Sequence, residues 1–531
     1  MESKEMEPPN PNSDKAPMAS PQDNRELSDL EKPPTHNSTT PTGDIRGPSL
    51  TRTKSIAQEL SPLHEILFVG LLCTAQFTTQ IALVGPLCIL HIIGAGLNID
   101  NPGVLSWLIA GYSLTVGSFI LLSGRMGDMF GYKKMLVIGY AWFALWSLVS
   151  GLSAWGGSVL FIFSRVMAGI GPAILLPNSL GLLGATYRPG RKKNMVFSLF
   201  GASAPCGGIA GALFAALWSL IWWPWAFFTL AITLSIASIL CILLLPSPPL
   251  NPECKNLTLK QKIIDLDLLG ASVGITAMIL FNFAWNQAPG FGWQQVYIYV
   301  LLIVGALLFL VFFWIETNIA SKPLIPLDAL SSDVSFVLGC VACGWASFGI
   351  WIYYLFQFLE LQRGKTPLLS AVMTLPIIIS GSVAAITTGR VIGTLGPAWV
   401  MFISMIAFLI GNILTATAPV EQTYWAQIFV CTIVISWGMD MSFPAATLIL
   451  SDKVKKGHQG MAASLVSTVV NYSISIGVGM AGSVEVYVSN GGQTREDELK
   501  GYRGALYLAI GLAGLGVIVS SIFLAKGFLM E

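Results

Sequence analysis

The stretch Asn194–Pro252, NMVFSLFGASAPCGGIAGALFAALWSLIWWPWAFFTLAITLSIASILCILLLPSPPLNP, contains no charged side chain and indicates the fold class. One α-helix crosses a bilayer with about 20 apolar residues, so a stretch of this length predicts two consecutive membrane-spanning helices. A second uncharged run, Leu268–Ile315, predicts another pair. Because the runs lack the short-period alternation of barrel strands, and backbone amides in lipid must be satisfied internally, we expect an all-α polytopic membrane protein.

The composition of the whole chain agrees with this interpretation. Hydrophobic residues make up 54% of the 531 residues and charged residues 11%, against about 25% charged in ordinary globular proteins. Fourteen apolar blocks are predicted as transmembrane helices: Leu67–Ile93, Leu105–Ser123, Met135–Ala154, Gly157–Ala185, Met195–Leu220, Trp223–Leu245, Leu268–Asn286, Val296–Ile315, Val334–Leu359, Leu368–Gly389, Pro397–Ala416, Tyr424–Leu450, Met461–Val488 and Ala505–Lys526.

The charges between these blocks predict the orientation. Links on the side of the N-terminal segment carry sixteen Lys and Arg residues, whereas the opposite links carry five. Basic links stay in the cytoplasm, so we expect both termini there, in a multi-pass protein of the cell membrane. The segment 1–62 is rich in Pro, Ser, Thr and Asn and is predicted to form a disordered cytoplasmic tail.

A weak internal repeat predicts the domain organisation. Pro177 precedes a basic link and Met195, and Pro444 precedes a similar link and Met461 at nearly the same spacing. Repeated halves around a site in the middle of the membrane are typical of secondary transporters. We therefore expect a six-helix bundle at 63–250, a linker with two extra helices at 251–330, and a second six-helix bundle at 331–531.

The most specific motif is the gate motif, Gly124–Lys134, with the sequence GRMGDMFGYKK. Its glycines allow a tight turn and a close approach of helices. Asp128 lies among cations near a helix end and is expected to form a charge pair that breaks when the two halves move. The candidate gate residues are Gly124, Arg125, Gly127, Asp128, Gly131, Lys133 and Lys134.

Two further motifs lie within predicted helices. Arg165 should face the bundle interior, because a charge near the bilayer centre costs about 2.5 to 3.5 kcal/mol on insertion scales. A structural role that such a residue can have is to tie backbone carbonyls together. In helix 5, small residues permit close packing and a proline removes one helical hydrogen bond. The candidate residues of this helix 5 motif are Gly201, Pro205, Gly207, Gly208 and Gly211.

Asp440 is the acid in the middle of a predicted helix and is our preferred proton carrier. A fixed polar contact and direct substrate binding are the alternatives. Asp267 and Glu485 lie nearer helix ends, where water reaches them, and are weaker candidates. Convergent polar groups in an apolar cleft would suit a small polar or amphipathic solute, and the expected cavity-lining residues are Gln76, Gln80, Asn178, Tyr353, Gln357 and Asn471.

These motifs resemble those of the major facilitator superfamily. The gate motif is similar to its signature between helices 2 and 3, although Met129 and Tyr132 replace basic residues. Arg165 and the glycines after it resemble the helix 4 signature, with Ala168 in place of Gln. The helix 5 motif resembles the antiporter motif, with Ala204 in place of a glycine.

The stretch Trp437–Glu485 and the segment Gln76–Gln80 bring the chain near the fourteen-helix drug:proton antiporter branch, similar to fungal aminotriazole-resistance and boron-exporter-like transporters. This resemblance implies two six-helix bundles, a linker pair and alternating access, and in such antiporters the arginine corresponding to Arg165 is linked to proton coupling. Many of them carry an acid in helix 1, where this chain has Gln and Thr.

Three functions are compatible with the sequence. The first is a proton-coupled exporter of a drug, toxin or secondary metabolite, in which Asp440 and Arg165 exchange partners. The second is a facilitator of a small polar solute such as ammonium or borate, and the third is a nutrient receptor. We find no nucleophile elbow, phosphate loop or zinc motif, so we expect no enzyme, no metal and no cofactor other than a proton gradient. The expected partners are the small-molecule substrate, protons and lipid, with no nucleic acid, and we expect a monomer.

Overall fold

A computed structural model of the chain describes residues 61–99, 101–187, 191–247, 258–320, 322–325, 332–453 and 459–530. The predicted disordered tail lies almost wholly outside the described residues. Within these ranges every regular element is a helix, which confirms the predicted all-α class.

Fourteen helices are long and apolar enough to cross a membrane, and we number them α1 to α14. Their bounds are Pro62–Cys88, Gly103–Phe130, Tyr132–Gly156, Ser158–Thr186, Arg191–Ser219, Trp225–Leu244, Leu268–Phe291, Val296–Asn318, Ser332–Gln362, Pro367–Leu395, Pro397–Ala416, Ile428–Leu450, Ala463–Val488 and Arg495–Lys526. Large apolar side chains such as Leu243, Leu310 and Ile379 point away from the protein, as expected for a surface that faces lipid.

The helices form two bundles with the same packing pattern. In the first bundle α1 packs on α5, α2 and α3 pack on α4, and α3 packs on α6. The second bundle repeats these pairs as α9 on α13, α10 and α11 on α12, and α11 on α14. The remaining pair, α7 and α8, pack on each other, and α7 also contacts α2 and α13. This is the predicted arrangement of two six-helix bundles and two linker helices, whereas the exact domain boundaries stay a prediction.

The two bundles meet along two pairs of helices, α2 with α13 and α5 with α10. On α2, Gly117 allows the closest approach, because a β-carbon there would lie 2.8 Å from the backbone nitrogen of Tyr472 on α13. We call the contact zone between the bundles the interface.

Several helix ends differ by a few residues from the predicted ones, as in α1, which ends at Cys88 rather than Ile93, and two of the differences have a clear local cause. The link Gly124–Lys134 is almost entirely helical: α2 continues to Phe130, and Gly131 alone separates it from α3. Helix α14 begins at Arg495, well before the predicted start at Ala505, because Thr494 caps it. The Thr494 hydroxyl accepts a hydrogen bond from the Asp497 backbone nitrogen at 3.1 Å and donates one to its carboxylate at 2.7 Å. The apolar pattern of the sequence did not reveal this polar first turn.

Candidate transport pathway

Asp440 lies on α12 at the interface, against helices α5 and α10. A β-carbon at Gly381 of α10 would lie 3.6 Å from the Asp440 carboxyl carbon and 3.6 Å from Pro205 on α5. The Asp440 Oδ2 atom is buried without a hydrogen-bond partner, and Asp440 forms no ion pair with any described residue. A carboxylate without a partner is unfavourable in an apolar interior, so the neutral acid is the form that this interface accommodates.

Arg165 is 1% exposed and lies inside the first bundle. Its Nη2 donates to the Ala82 carbonyl of α1 at 2.5 Å and its Nε to the Leu108 carbonyl of α2 at 3.3 Å. The guanidinium carbon also lies 4.6 Å from the centroid of the Tyr112 ring, a favourable cation–π distance. Arg165 thus joins α1, α2 and α4, and among the described residues no ion pair connects it to Asp440.

The gate motif folds into the junction between α2 and α3. Gly131 has φ +99°, which favours glycine, and it allows the two helices to follow each other directly. Tyr132, at the start of α3, donates its hydroxyl to Asp128 Oδ1 at 2.5 Å. The tyrosine that departs from the family pattern therefore supplies the carboxylate with a donor where a cation was expected. A side chain at Gly127 would collide with Asn178 of α4.

The cations of the gate motif bind backbone carbonyls rather than acids of the second bundle. Arg125 donates from Nη1 to the Lys322 carbonyl at 2.7 Å and from Nη2 to the Pro323 carbonyl. Lys133 donates to the Leu245 carbonyl after α6 at 2.7 Å. Lys134 is exposed. The observed partner of Asp128 is Tyr132, which lies in the first bundle. A charge pair of Asp128 that breaks when the two halves move therefore stays a prediction.

The helix 5 motif divides into a packed half and an open half. A β-carbon at Gly211 would lie 2.6 Å from the Ile81 α-carbon and 2.8 Å from its carbonyl oxygen on α1. Gly207 is held equally close to the backbone of Phe77. Gly208 faces only the Val84 side chain, and Gly201 has no atom within 4 Å. The motif therefore joins α5 to α1 through Gly207 and Gly211, while Pro205 lies on the side of Asp440.

The polar residues expected to line a cavity have different surroundings. Gln76 and Gln80 are partly buried and form no hydrogen bond within the described residues. Asn178 is fully buried, and its Nδ2 donates to the Ile174 carbonyl at 2.6 Å and to the Ser123 carbonyl at 3.2 Å. It connects α4 to α2 next to the gate motif.

On the second bundle, three of the expected cavity residues bind neighbouring protein groups. Asn471 donates to the Ser467 carbonyl of its own helix at 2.9 Å. Gln357 accepts a hydrogen bond from the Tyr502 hydroxyl at 3.3 Å and also interacts with Tyr353. Since Gln357, Tyr353 and Tyr502 are nearly fully buried, these groups form a polar cluster inside the bundle. Of the six expected cavity residues, Gln76 and Gln80 are the two that form no hydrogen bond within the described residues, and their contact with a solute stays a prediction.

Four buried or half-buried acids complete the description, and the sequence pointed to two of them, Asp267 and Glu485. Asp267 and Glu316, 8% and 3% exposed, lie next to each other beside Gly270, and one oxygen of each has no hydrogen-bond partner. Glu485 accepts a hydrogen bond from the Tyr354 hydroxyl at 2.7 Å. Glu360 was missed, because it lies where the apolar pattern of α9 ends.

Among the described residues no group of three or more His, Cys, Asp and Glu side chains has the geometry of a metal site. Cys340 and Cys343, which form a CxxC sequence, are free and packed inside α9.

Comparisons with known proteins give a family and several relatives of this chain. Residues 66–388 and 334–527 match the Major Facilitator Superfamily. A low affinity ammonium transporter of Saccharomyces cerevisiae is 52% identical over 88% of this chain and 90% of its own length. The efflux pump terJ of Aspergillus terreus is 43% identical over 92% of each chain, and the aminotriazole resistance protein of Saccharomyces cerevisiae is 39% identical over 88% of this chain and 85% of its own.

Solved structures share the fold. A transporter of the POT family in complex with a thioalcohol conjugated peptide has a TM-score of 0.63 at 15% identity, covering 86% of this chain and 96% of its own. The relatives are transporters and efflux pumps rather than enzymes, as the sequence predicted. The multi-pass helical fold, the motifs and the relatives lead to one conclusion: this chain is a transporter of the major facilitator superfamily.

Proposed function

We propose that this protein is a proton-coupled exporter of a small molecule, such as a drug, a toxin or a secondary metabolite, which works by alternating access. The observation that carries the proposal is Asp440, a carboxyl group without a partner between the two bundles. A group at this position meets water from one side and then from the other as the bundles rock. It would therefore take up a proton on one side and release it on the other.

Three features support this mechanism. The helices that surround Asp440 contribute a glycine, Gly381, and a proline, Pro205, which leave room for the carboxyl group and reduce the stiffness of α5. The efflux pumps among the relatives are similar over most of the chain. The basic residues of the links further suggest that the protein lies in the plasma membrane with both termini in the cytoplasm.

Of the two roles considered for Arg165, proton coupling and the joining of backbone carbonyls, this mechanism uses the second. Its hydrogen bonds reach two backbone carbonyls inside the first bundle, so we assign it to holding α1, α2 and α4 together as a rigid unit. Proton transfer is assigned to Asp440 alone. The exchange of partners between Arg165 and Asp440 would require a conformation in which the two meet.

The second candidate function is a facilitator that moves a small polar solute such as ammonium or borate down its gradient. The low affinity ammonium transporter, which is 52% identical to this chain, favours this function. So does α1, which carries Gln and Thr where many antiporters of this branch carry an acid. Gln76 and Gln80 would then bind the solute. A facilitator needs no proton carrier, which separates the two proposals experimentally.

Purified protein in proteoliposomes with an entrapped pH dye tests both. Ammonium, borate and aminotriazole are supplied in turn, with and without an imposed pH gradient. The exporter predicts solute-dependent proton flux that is lost in Asp440→Asn and retained in Glu496→Gln, which removes an exposed acid of α14. The facilitator predicts solute flux that is insensitive to an uncoupler and unchanged in Asp440→Asn, and this result would refute the exporter.

A further inference from the structure

The end of the interface opposite Gly131 contains a second acid without a partner, Glu360. It belongs to the π-helical turn Phe358–Gln362 that ends α9. Its Oε1 atom is buried and has no hydrogen-bond partner, and Glu360 forms no ion pair with any described residue. Single π-turns within α-helices are frequent at functional sites. Neither Asp440 nor the gate motif explains why a carboxyl group is kept at this position.

The turn lies where the first bundle meets the second. Cys88, the last residue of α1, donates its thiol to the carbonyl of Pro367, the first residue of α10, at 3.2 Å. The Cys88 thiol also interacts electrostatically with Glu360. Cys88 is 0% exposed. The interface is therefore closed at this end, and the Glu360 carboxyl group forms part of the closure.

The charged groups around the turn bind other partners. Arg363 donates to the Pro419 carbonyl at 2.8 Å, and Arg495 of α14 donates to the Leu361 carbonyl at 2.8 Å. Glu498 of α14 accepts from Gln362 at 3.3 Å. These contacts fix the backbone of the turn without neutralising its acid.

The other elements near the turn add no charge. The segment Pro367–Met373 contains no titratable side chain. In the short helix after α1, burial lowers the pKa of His91 to about 4, so this histidine stays neutral near physiological pH. The Cys88 thiol is the titratable group that faces Glu360 from α1. No cation of these elements therefore stabilises an ionised Glu360.

We propose that Glu360 is a proton-operated gate residue at the end of the interface opposite Gly131. In its neutral form it remains within the closed contact between α1, α9 and α10. When water on that side removes its proton, the carboxylate is left without a partner in the closed contact, and opening the interface restores its hydration. Binding a proton from the same side allows closure again. No bond other than that to the proton changes.

This gate residue adds a step to the proposed exporter, because protonation of Glu360 from one side of the membrane would favour closure of the interface on that side. Asp440, in the middle of the interface, would carry the transported proton, while Glu360 controls access from one side. The gate itself rests only on alternating access, so it holds equally for the facilitator.

Cys88 provides the direct test. A variant whose only cysteine is Cys88 is placed in nanodiscs and treated with a membrane-impermeant maleimide at pH 5.5 and at pH 8. The labelling rate at each pH is divided by the rate for the unfolded protein, because the intrinsic reactivity of a thiol also rises with pH. We expect several-fold faster normalised labelling at the higher pH. Glu360→Gln should stay slowly labelled at both values, and Glu360→Met serves if the amide variant does not fold.

The control is Glu421→Gln, which removes an exposed acid and should keep the pH response. Asp440→Asn should also keep it while losing proton-coupled transport, so that failure of the gate and failure of the exporter are distinguished. A pH response of Cys88 labelling that is the same with and without the Glu360 carboxyl group would overturn the proposal. So would labelling that is independent of pH in the single-cysteine protein.

Discussion

The close contact between α1 and α5 gives a prediction with a built-in control, because two glycines of one motif have opposite surroundings. Gly211→Ala places a methyl group 2.6 Å from the Ile81 α-carbon and 2.8 Å from its carbonyl oxygen. Both are backbone atoms, so α1 and α5 must separate. Gly201→Ala adds the same methyl group where no atom lies within 4 Å.

The magnitude follows from comparing the two variants. Alanine is more favourable than glycine inside a helix by about 0.5–1 kcal/mol, and this gain is common to both variants because both lie within α5. Overpacking costs about 1–3 kcal/mol and applies only to Gly211→Ala. The difference in the free energy of unfolding should therefore be about 1–3 kcal/mol, with Gly201→Ala at or above the stability of the original protein.

Thermal unfolding of the two variants in one detergent, followed by intrinsic fluorescence and by the fraction that stays monodisperse, measures this difference. The Gly211→Ala protein should unfold at a clearly lower temperature than the Gly201→Ala protein. Equal unfolding temperatures would show that α1 and α5 are not in backbone contact at Gly211, and the assignment of the helix 5 motif to packing would then be wrong.

Substitutions at three further positions test other contacts by the same thermal assay. Arg165→Lys should lower the stability by about 1–3 kcal/mol, because one ammonium group cannot reach both carbonyls and one is left unsatisfied; an unchanged stability would contradict the structural role. Tyr132→Phe removes a donor from the Asp128 carboxylate, which is exposed, and should destabilise by about 0.5–1.5 kcal/mol, whereas no effect would mean that another group serves the acid. Glu316→Gln supplies an amide donor to Asp267 and should be tolerated, while Glu316→Leu should not; equal stabilities of the two variants would argue against the contact between the acids.

Much of the fold follows from the sequence because membrane helices are specified by length and polarity alone. The uncharged run Asn194–Pro252 became parts of two helices, α5 and α6, as its length required. The gate motif was recognisable because its glycines allow a tight turn and a close approach of helices. Gly131 at φ +99° is the residue that makes this junction.

The site was less predictable, because the residue types in a sequence do not show how far apart their side chains lie in the folded protein. Arg165 and Asp440 were expected to exchange partners since both are ionisable groups within helices. Each has its own neighbours in the structure, so the exchange stays a prediction. Glu360 resembles an ordinary residue at a water-exposed helix end. Its burial depends on a π-turn and on the approach of α1, neither of which leaves a pattern in the sequence.

The junction at Gly131 has a consequence for engineering the protein. A connector of one residue cannot absorb an insertion. One more amino acid, added to the helix at this point, would rotate α3 by about 100° about its own axis and shift it by about 1.5 Å. That rotation would turn Tyr132 away from Asp128 and Lys133 away from the Leu245 carbonyl. Epitope tags, protease sites and fluorescent fusions therefore do not belong at this position, and length changes there should be absent among functional homologues even where side chains vary.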